Sequence, residues 1–213
     1  MIDQLILVLP VLIFSVVVHE CAHGIAAERA GDPTARMLGR ITLNPIKHID
    51  LVGSIIVPGF LILTGSSFFI AWAKPVPVNP AYFKNRRQDE IKVSFAGPLS
   101  NLILSVIFLV LSLLWITGFG VTDLNNKFLY VFRMGMFINL LLAFFNLLPI
   151  PPLDGSHILE NVLPPEFAKI MAKIRPYGFY ILIILMMTGF FRVIFIPVRI
   201  IFGYYQGIIQ SFL

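Results

Sequence analysis

Five nearly charge-free runs, at residues 5–18, 51–71, 99–117, 128–148 and 177–191, leave this chain little choice of solvent. Several approach the roughly 20 residues that a helix needs to cross a hydrocarbon core. Charged residues make up 13% of the chain, against about 25% in an ordinary soluble domain. No long polar segment, repeat or low-complexity run offers material for a second, soluble unit. The expected organisation is one membrane domain over 1–213, with a core in 1–160 and further membrane segments in 161–213.

The net charge of +5 does not point to nucleic acid, because the basic residues lie in short loops beside apolar runs, the pattern of cytoplasmic anchoring. The single Cys21 excludes an internal disulfide and a thiolate cluster, so any metal must be held by nitrogen and oxygen. The first 18 residues lack a basic leader region, and Asp3 stands where one would be. They read as a retained first span.

Residues 29–50 carry Arg29, Arg36, Arg40 and Lys47; residues 74–92 carry Lys74, Lys84, Arg86, Arg87 and Lys92. Both loops belong on the cytoplasmic side, which a full crossing at 51–71 would forbid. That run contains Pro58, Gly59, Gly65 and Ser66–Ser67, so it is expected to be re-entrant, with its irregular backbone satisfied by protein or trapped water. Residues 68–78, with Pro75 and Pro77, suit an extended strand or hairpin edge. The expectation is an all-α polytopic membrane protein: a bundle of about four to six transmembrane helices, a re-entrant segment, and a small β-hairpin near the active site. Counting spans outward at 91–116 and inward at 128–148 brings Asp154 to the same face as His19.

The first apolar run leads directly into His19-Glu20-Cys21-Ala22-His23. Two histidines four residues apart share one helix face and can bind one Zn²⁺, with the intervening glutamate beside the metal's water. Such groups at the end of an apolar span cost roughly 2.5 kcal/mol or more apiece, so they call for a compensating partner. A catalytic zinc needs a third protein ligand, and Asp154 is the best candidate. It follows Pro149, Pro151 and Pro152, which break the helix, and precedes Gly155, which permits a tight turn. The bland alternative is that Asp154 caps the helix that follows it.

Three ordered motifs, HECAHG at 19–24, AGPLSN at 96–101 and NLLPIPPLDG at 146–155, together resemble the site-2 protease family of intramembrane metalloproteases. Gly31-Asp-Pro-Thr34, Leu43-Asn-Pro45 and Ala73-Lys-Pro-Val-Pro77 resemble the minimal bacterial members without PDZ or CBS domains. The resemblance implies His19, His23 and Asp154 as ligands to one zinc per chain, Glu20 as general base, and supporting polar roles near the substrate for Asn101 and Asn146. It further implies an endopeptidase acting on transmembrane substrates near the cytoplasmic face of a bacterial inner membrane. Zinc lowers the pKa of a bound water to about 7 and polarises the peptide carbonyl, while the glutamate accepts and returns the proton. An edge strand near 73–78 could hold an unwound substrate by β-addition.

Two other classes remain as rivals: a membrane metal transporter, since intramembrane His, Glu and Asp also line ion paths, and an inactive homologue that keeps the fold. The intact Glu20, beside one of two paired histidines, argues against both. His48 reads as a loop histidine, His157 as a candidate partner for a nearby carboxylate, and Cys21 as a packing residue.

Overall fold

The computed structural model describes residues 2–64, 72–121, 123, 126–189 and 191–213. Helix α1 (Ile2–Ala30) runs through Pro10 and ends where Gly31 turns to φ +112°, so that the Gly31 and Asp32 N–H groups bond back to Glu28 and Ala27. Glycine adopts this left-handed conformation without steric cost. A short α2 (Thr34–Met37) follows, then a 3-10 turn at Pro45–His48. Helix α4 (Arg86–Phe119) is capped by the Asn85 side chain and stopped by Gly120 at φ +60°. Helix α5 (Lys127–Asn146) begins under an Asn126 side chain that accepts from the Phe128 and Leu129 N–H groups. Beyond it lie α6 (Asp154–Val162), α7 (Pro165–Ile174), α8 (Gly178–Met187) and α9 (Phe191–Gln210).

The segment expected to be re-entrant does turn back. It is wound as a π-helix over Leu51–Ile56 and continues as α3 (Val57–Leu63). By Trp72 the chain has returned to the segment's start: Trp72 N–H donates to the Gly53 carbonyl at 3.1 Å, and Ser54 Oγ donates to the Trp72 carbonyl at 2.8 Å. A Cβ on Gly53 would fall 2.2 Å from the Trp72 indole. Pro58 and Gly59 fall in the first turn of α3, directly after the winding changes from π to α. Gly65 and Ser66–Ser67 lie outside the described residues.

No β-strand occurs among the described residues. Residues 72–79 carry no regular secondary structure and make no ladder to a second strand; the remainder of the expected hairpin, 68–71, lies outside the described residues. Pro75 and Pro77 remove two of the N–H groups that a ladder would need. Arg40 also departs from expectation: it is buried, its guanidinium donating to the Lys74 and Pro75 carbonyls, so it clamps that segment and is not a free interfacial charge.

Three described helices are long and apolar enough to cross a bilayer: Ile6–Ala30 within α1, α4 and α5. They pack on one another through Val11, Phe108, Leu109, Ile116, Leu129 and Met136, joined by Ile209 of α9. Their outer faces expose Ile6, Leu9, Phe14, Ile103, Ile107 and Leu114, which is the distribution expected where lipid is the solvent. A second apolar cluster, Ala27, Ala30, Phe83 and Val93, ties the end of α1 to the start of α4. The two histidines lie between these clusters along α1.

Candidate metal centre

His19 and His23 stand one turn apart on the inward face of α1, 7% and 9% exposed. Each imidazole is gripped at Nδ1 from α4: Asn101 Oδ1 lies 2.6 Å from His19 Nδ1, and the Val93 carbonyl 2.7 Å from His23 Nδ1. A backbone carbonyl only accepts, so His23 carries its proton on Nδ1 and presents an Nε2 lone pair. The two Nε2 atoms approach to 3.0 Å. Asp154 closes the group, with Oδ2 3.2 Å from His19 Nε2 and Oδ1 3.3 Å from His23 Nε2.

The loop after α5 delivers that carboxylate. Asp154 opens α6, but the N-cap position belongs to Leu153 and no side chain caps the helix; the capping alternative for Asp154 therefore does not hold. Gly155 has no positive φ. Its smallness serves close approach, since a Cβ there would sit 2.2 Å from the Leu147 carbonyl oxygen. Pro151 and Leu153 are buried beside it, fixing the loop against the bundle.

The residues fit a zinc ion. Bonds of about 2.0–2.2 Å at tetrahedral angles set donor–donor edges of about 3.3–3.6 Å, and the observed separations of 3.0, 3.2 and 3.3 Å need spread by only a few tenths of an ångström. Asp154 Oδ2 is buried and receives no hydrogen bond. With both imidazoles protonated at Nδ1, two lone pairs and a carboxylate face one another, an arrangement that a cation between them would stabilise. Room for it depends on Gly97, where a Cβ would fall 2.4 Å from His23 Nε2 and 2.6 Å from His19 Nε2.

Glu20, on the neighbouring face of α1, accepts a hydrogen bond at Oε2 from the Val76 N–H, 2.7 Å away. Asn101 reaches the group through His19. Asn146 does not: its amide donates to the Leu142 carbonyl of its own helix, and it touches none of the three among the described residues. His48 is a buried strut, with Nε2 bonded to the Thr42 carbonyl and its own carbonyl accepting from Lys74. Cys21 donates to that same Thr42 carbonyl, in keeping with packing. Among the described residues the His157 side chain makes no hydrogen bond, and its backbone carbonyl accepts from Asn161. Sequence reasoning missed Val93 and Gly97. Gly97 was visible as a glycine inside an otherwise helical pattern, a mark of close approach; a backbone carbonyl leaves no such mark.

Buried histidine and aspartate donors at the end of a membrane-length helix, with a glutamate beside the first histidine, define a membrane metalloprotease of the H-E-x-x-H class. The description peptidase family M50 matches residues 7–123 and 116–189. The chain belongs to that family, the site-2 protease family of zinc-dependent enzymes. It is similar to YwhC of Bacillus subtilis (strain 168), 42% identical over 181 residues that cover 83% of this chain and 78% of the relative. It is similar also to Rip2 of Mycolicibacterium smegmatis, 34% identical over 184 residues covering 86% and 67%. Both names assign those proteins provisionally to the zinc metalloproteases. A zinc metalloprotease of Methanocaldococcus jannaschii is 25% identical over 162 residues, 75% of this chain and 35% of the relative. No solved structure matches.

Proposed function

We propose that this chain is an intramembrane zinc endopeptidase that hydrolyses peptide bonds of transmembrane substrates near the cytoplasmic face, as one catalytic domain in a bacterial inner membrane. The observation that carries the reading is the convergence of His19 Nε2, His23 Nε2 and Asp154, with separations of 3.0–3.3 Å. These three are the zinc ligands, one ion per chain. Zinc bound there supplies Lewis-acid polarisation of the scissile carbonyl and a water made acidic enough to attack at neutral pH.

The chain's own residues do the rest. Glu20 is the general base, taking the proton of the attacking water and returning it to the leaving amine. Its Oε2 is held by Val76, and its other oxygen has no hydrogen bond among the described residues. Asn101 orients His19. Asn146, at the end of α5, is proposed to contact substrate after releasing Leu142. A helical substrate must unwind before cleavage, and residues 72–79, which belong to no helix, run beside Glu20. There the Ala73 N–H and C=O make no hydrogen bond among the described residues, which leaves an edge for β-addition. Mass spectrometry of a model transmembrane substrate incubated with purified protein, with the Glu20→Gln protein alongside, tests the reading. Cleavage by both proteins, or by neither, would defeat it.

A further inference from the structure

One chain of hydrogen-bonded polar side chains joins α1, α4 and α5. Ser15, Asn101 and Asn139 are all fully buried. Asn139 Nδ2 donates to the Gly135 carbonyl at 2.9 Å and to Ser15 Oγ at 2.8 Å; Ser15 Oγ in turn donates to the Val11 carbonyl at 2.7 Å. Asn139 Oδ1 accepts from Asn101 Nδ2 at 2.9 Å, and that amide also donates to the Ser15 carbonyl at 3.2 Å. Asn101 Oδ1 then faces His19 Nδ1 at 2.6 Å.

The polarity of this chain has no freedom. Its anchors, the carbonyls of Val11, Ser15 and Gly135, can only accept. The amide of Asn139 must therefore point its NH₂ at Gly135 and its oxygen at Asn101. Asn139 Oδ1 and the Ser15 carbonyl then both take the Asn101 NH₂, the shorter bond being the one to Asn139, and Asn101 turns its own oxygen toward His19. An oxygen at this point stabilises the Nδ1–H tautomer of His19 and frees its Nε2 lone pair. With Asn101 flipped, an NH₂ would face Nδ1, the proton would move to Nε2, and the ligand atom would be blocked.

We infer that Asn139, anchored by Ser15, is a positioning residue that sets the tautomer of His19 through Asn101 and so prepares the metal-binding nitrogen from a third transmembrane helix. The inference rests on His19 being a zinc ligand, but not on proteolysis. Partners that fix a ligand histidine's tautomer typically contribute about 10–100-fold in metal affinity, and one step further out the lower end applies.

The test uses the full chain in detergent. Zinc affinity is measured by chelator competition, and the His19 tautomer by ¹⁵N-histidine NMR of zinc-free protein, assigned by the resonances lost in His19→Gln. Asn139→Leu should lower zinc affinity about tenfold and convert His19 from the Nδ1–H form to a mixture. Asn101→Asp places an obligate acceptor against His19, so in that background Asn139→Leu should change neither readout. If Asn139→Leu does not fold, Ser15→Ala carries the same comparison, with a loss of about twofold or more in the parent background and none in the Asn101→Asp background. A His19 that stays Nδ1–H in Asn139→Leu, or an equal loss of affinity in both backgrounds, would mean that Asn139 serves packing alone. A parent protein that binds no zinc would overturn the ligand reading, and the tautomer, measured without metal, would still decide the role of Asn139.

Discussion

Val76 donates its backbone N–H to Glu20 Oε2 across 2.7 Å, joining the carboxylate beside the candidate metal centre to the segment at 72–79. That segment is strapped on its other contacts by His48, Arg40, Gly53 and Ser54. The proposed base and the proposed substrate seat therefore move as one unit, and the chemistry of Glu20 can be tested apart from metal binding.

Glu20→Gln retains an oxygen to accept from Val76 but removes the base. Zinc content should stay at the parent value while turnover falls about 10²–10⁴-fold, the usual contribution of general base catalysis. Parallel metal analysis and cleavage assays check this, with a chelator control against contaminating proteases. Cleavage near the parent rate would end the hydrolytic assignment of Glu20.

Purified protein should carry about one zinc per chain, since two histidines and an aspartate form one catalytic-type site. His19→Ala and Asp154→Ala should each lose the metal, because either leaves two donors. Full zinc occupancy in either variant, measured by elemental analysis, would show that the ligand set is misassigned.

Gly97→Ala separates helix propensity from site geometry. In an open helix the change would gain about 0.5–1 kcal/mol. Here the new Cβ would fall 2.4–2.6 Å from the imidazole atoms of His19 and His23, and overpacking costs about 1–3 kcal/mol. Clash outweighs propensity, so zinc affinity should drop by at least about tenfold. Unchanged affinity in a chelator titration would mean that α4 does not crowd the histidines in this way.

Asp32, just past the end of α1, is buried and accepts from the N–H groups of Asn79 and Thr34 and from the Thr34 hydroxyl. Burial pushes its carboxyl up, but the hydrogen bonds from Asn79 and Thr34 outweigh it and hold the group below its ordinary value. A depressed folded-state pKa contributes stability that is fully present above the unfolded value of about 3.9 and is lost as pH falls through the lower folded value. Asp32→Asn should therefore destabilise by about 1–3 kcal/mol at neutral pH, with the gap to the parent narrowing only below about pH 4. Thermal unfolding across pH measures this; a gap that narrows between pH 8 and 5 would contradict it.

Cysteines placed at Arg36 and Arg86 in a Cys21→Ser background should label from the same side of the membrane. The proposal rests on the return of Trp72, whose N–H donates to the Gly53 carbonyl. Labelling from opposite sides would defeat the re-entrant reading.

Local pattern carried the sequence reading as far as period and composition reach. Charge-free runs specified helices because hydrocarbon offers no other partner for backbone groups, and the i, i+4 spacing put His19 and His23 on one face because a helix repeats every 3.6 residues. The clash between two basic loops, together with the Pro and Gly of 51–71, announced a segment that turns back. What the residues did not disclose depends on contacts between distant parts of the chain. The Asn101 oxygen meets His19 across 82 positions, and the Val93 carbonyl meets His23 across 70. Neither Gly97's closeness to the imidazoles nor the burial of Arg40 leaves a periodic mark. Over 72–79 no strand ladder forms: Arg40, His48 and Ser54 bond the backbone at Trp72, Lys74 and Pro75, and Pro75 and Pro77 have no N–H to offer a second strand. Residue type thus determined which donors this protein could offer a metal; only helix packing decided which way each donor's protons and lone pairs face, because a side chain's polarity is set by the neighbour that tertiary structure places against it.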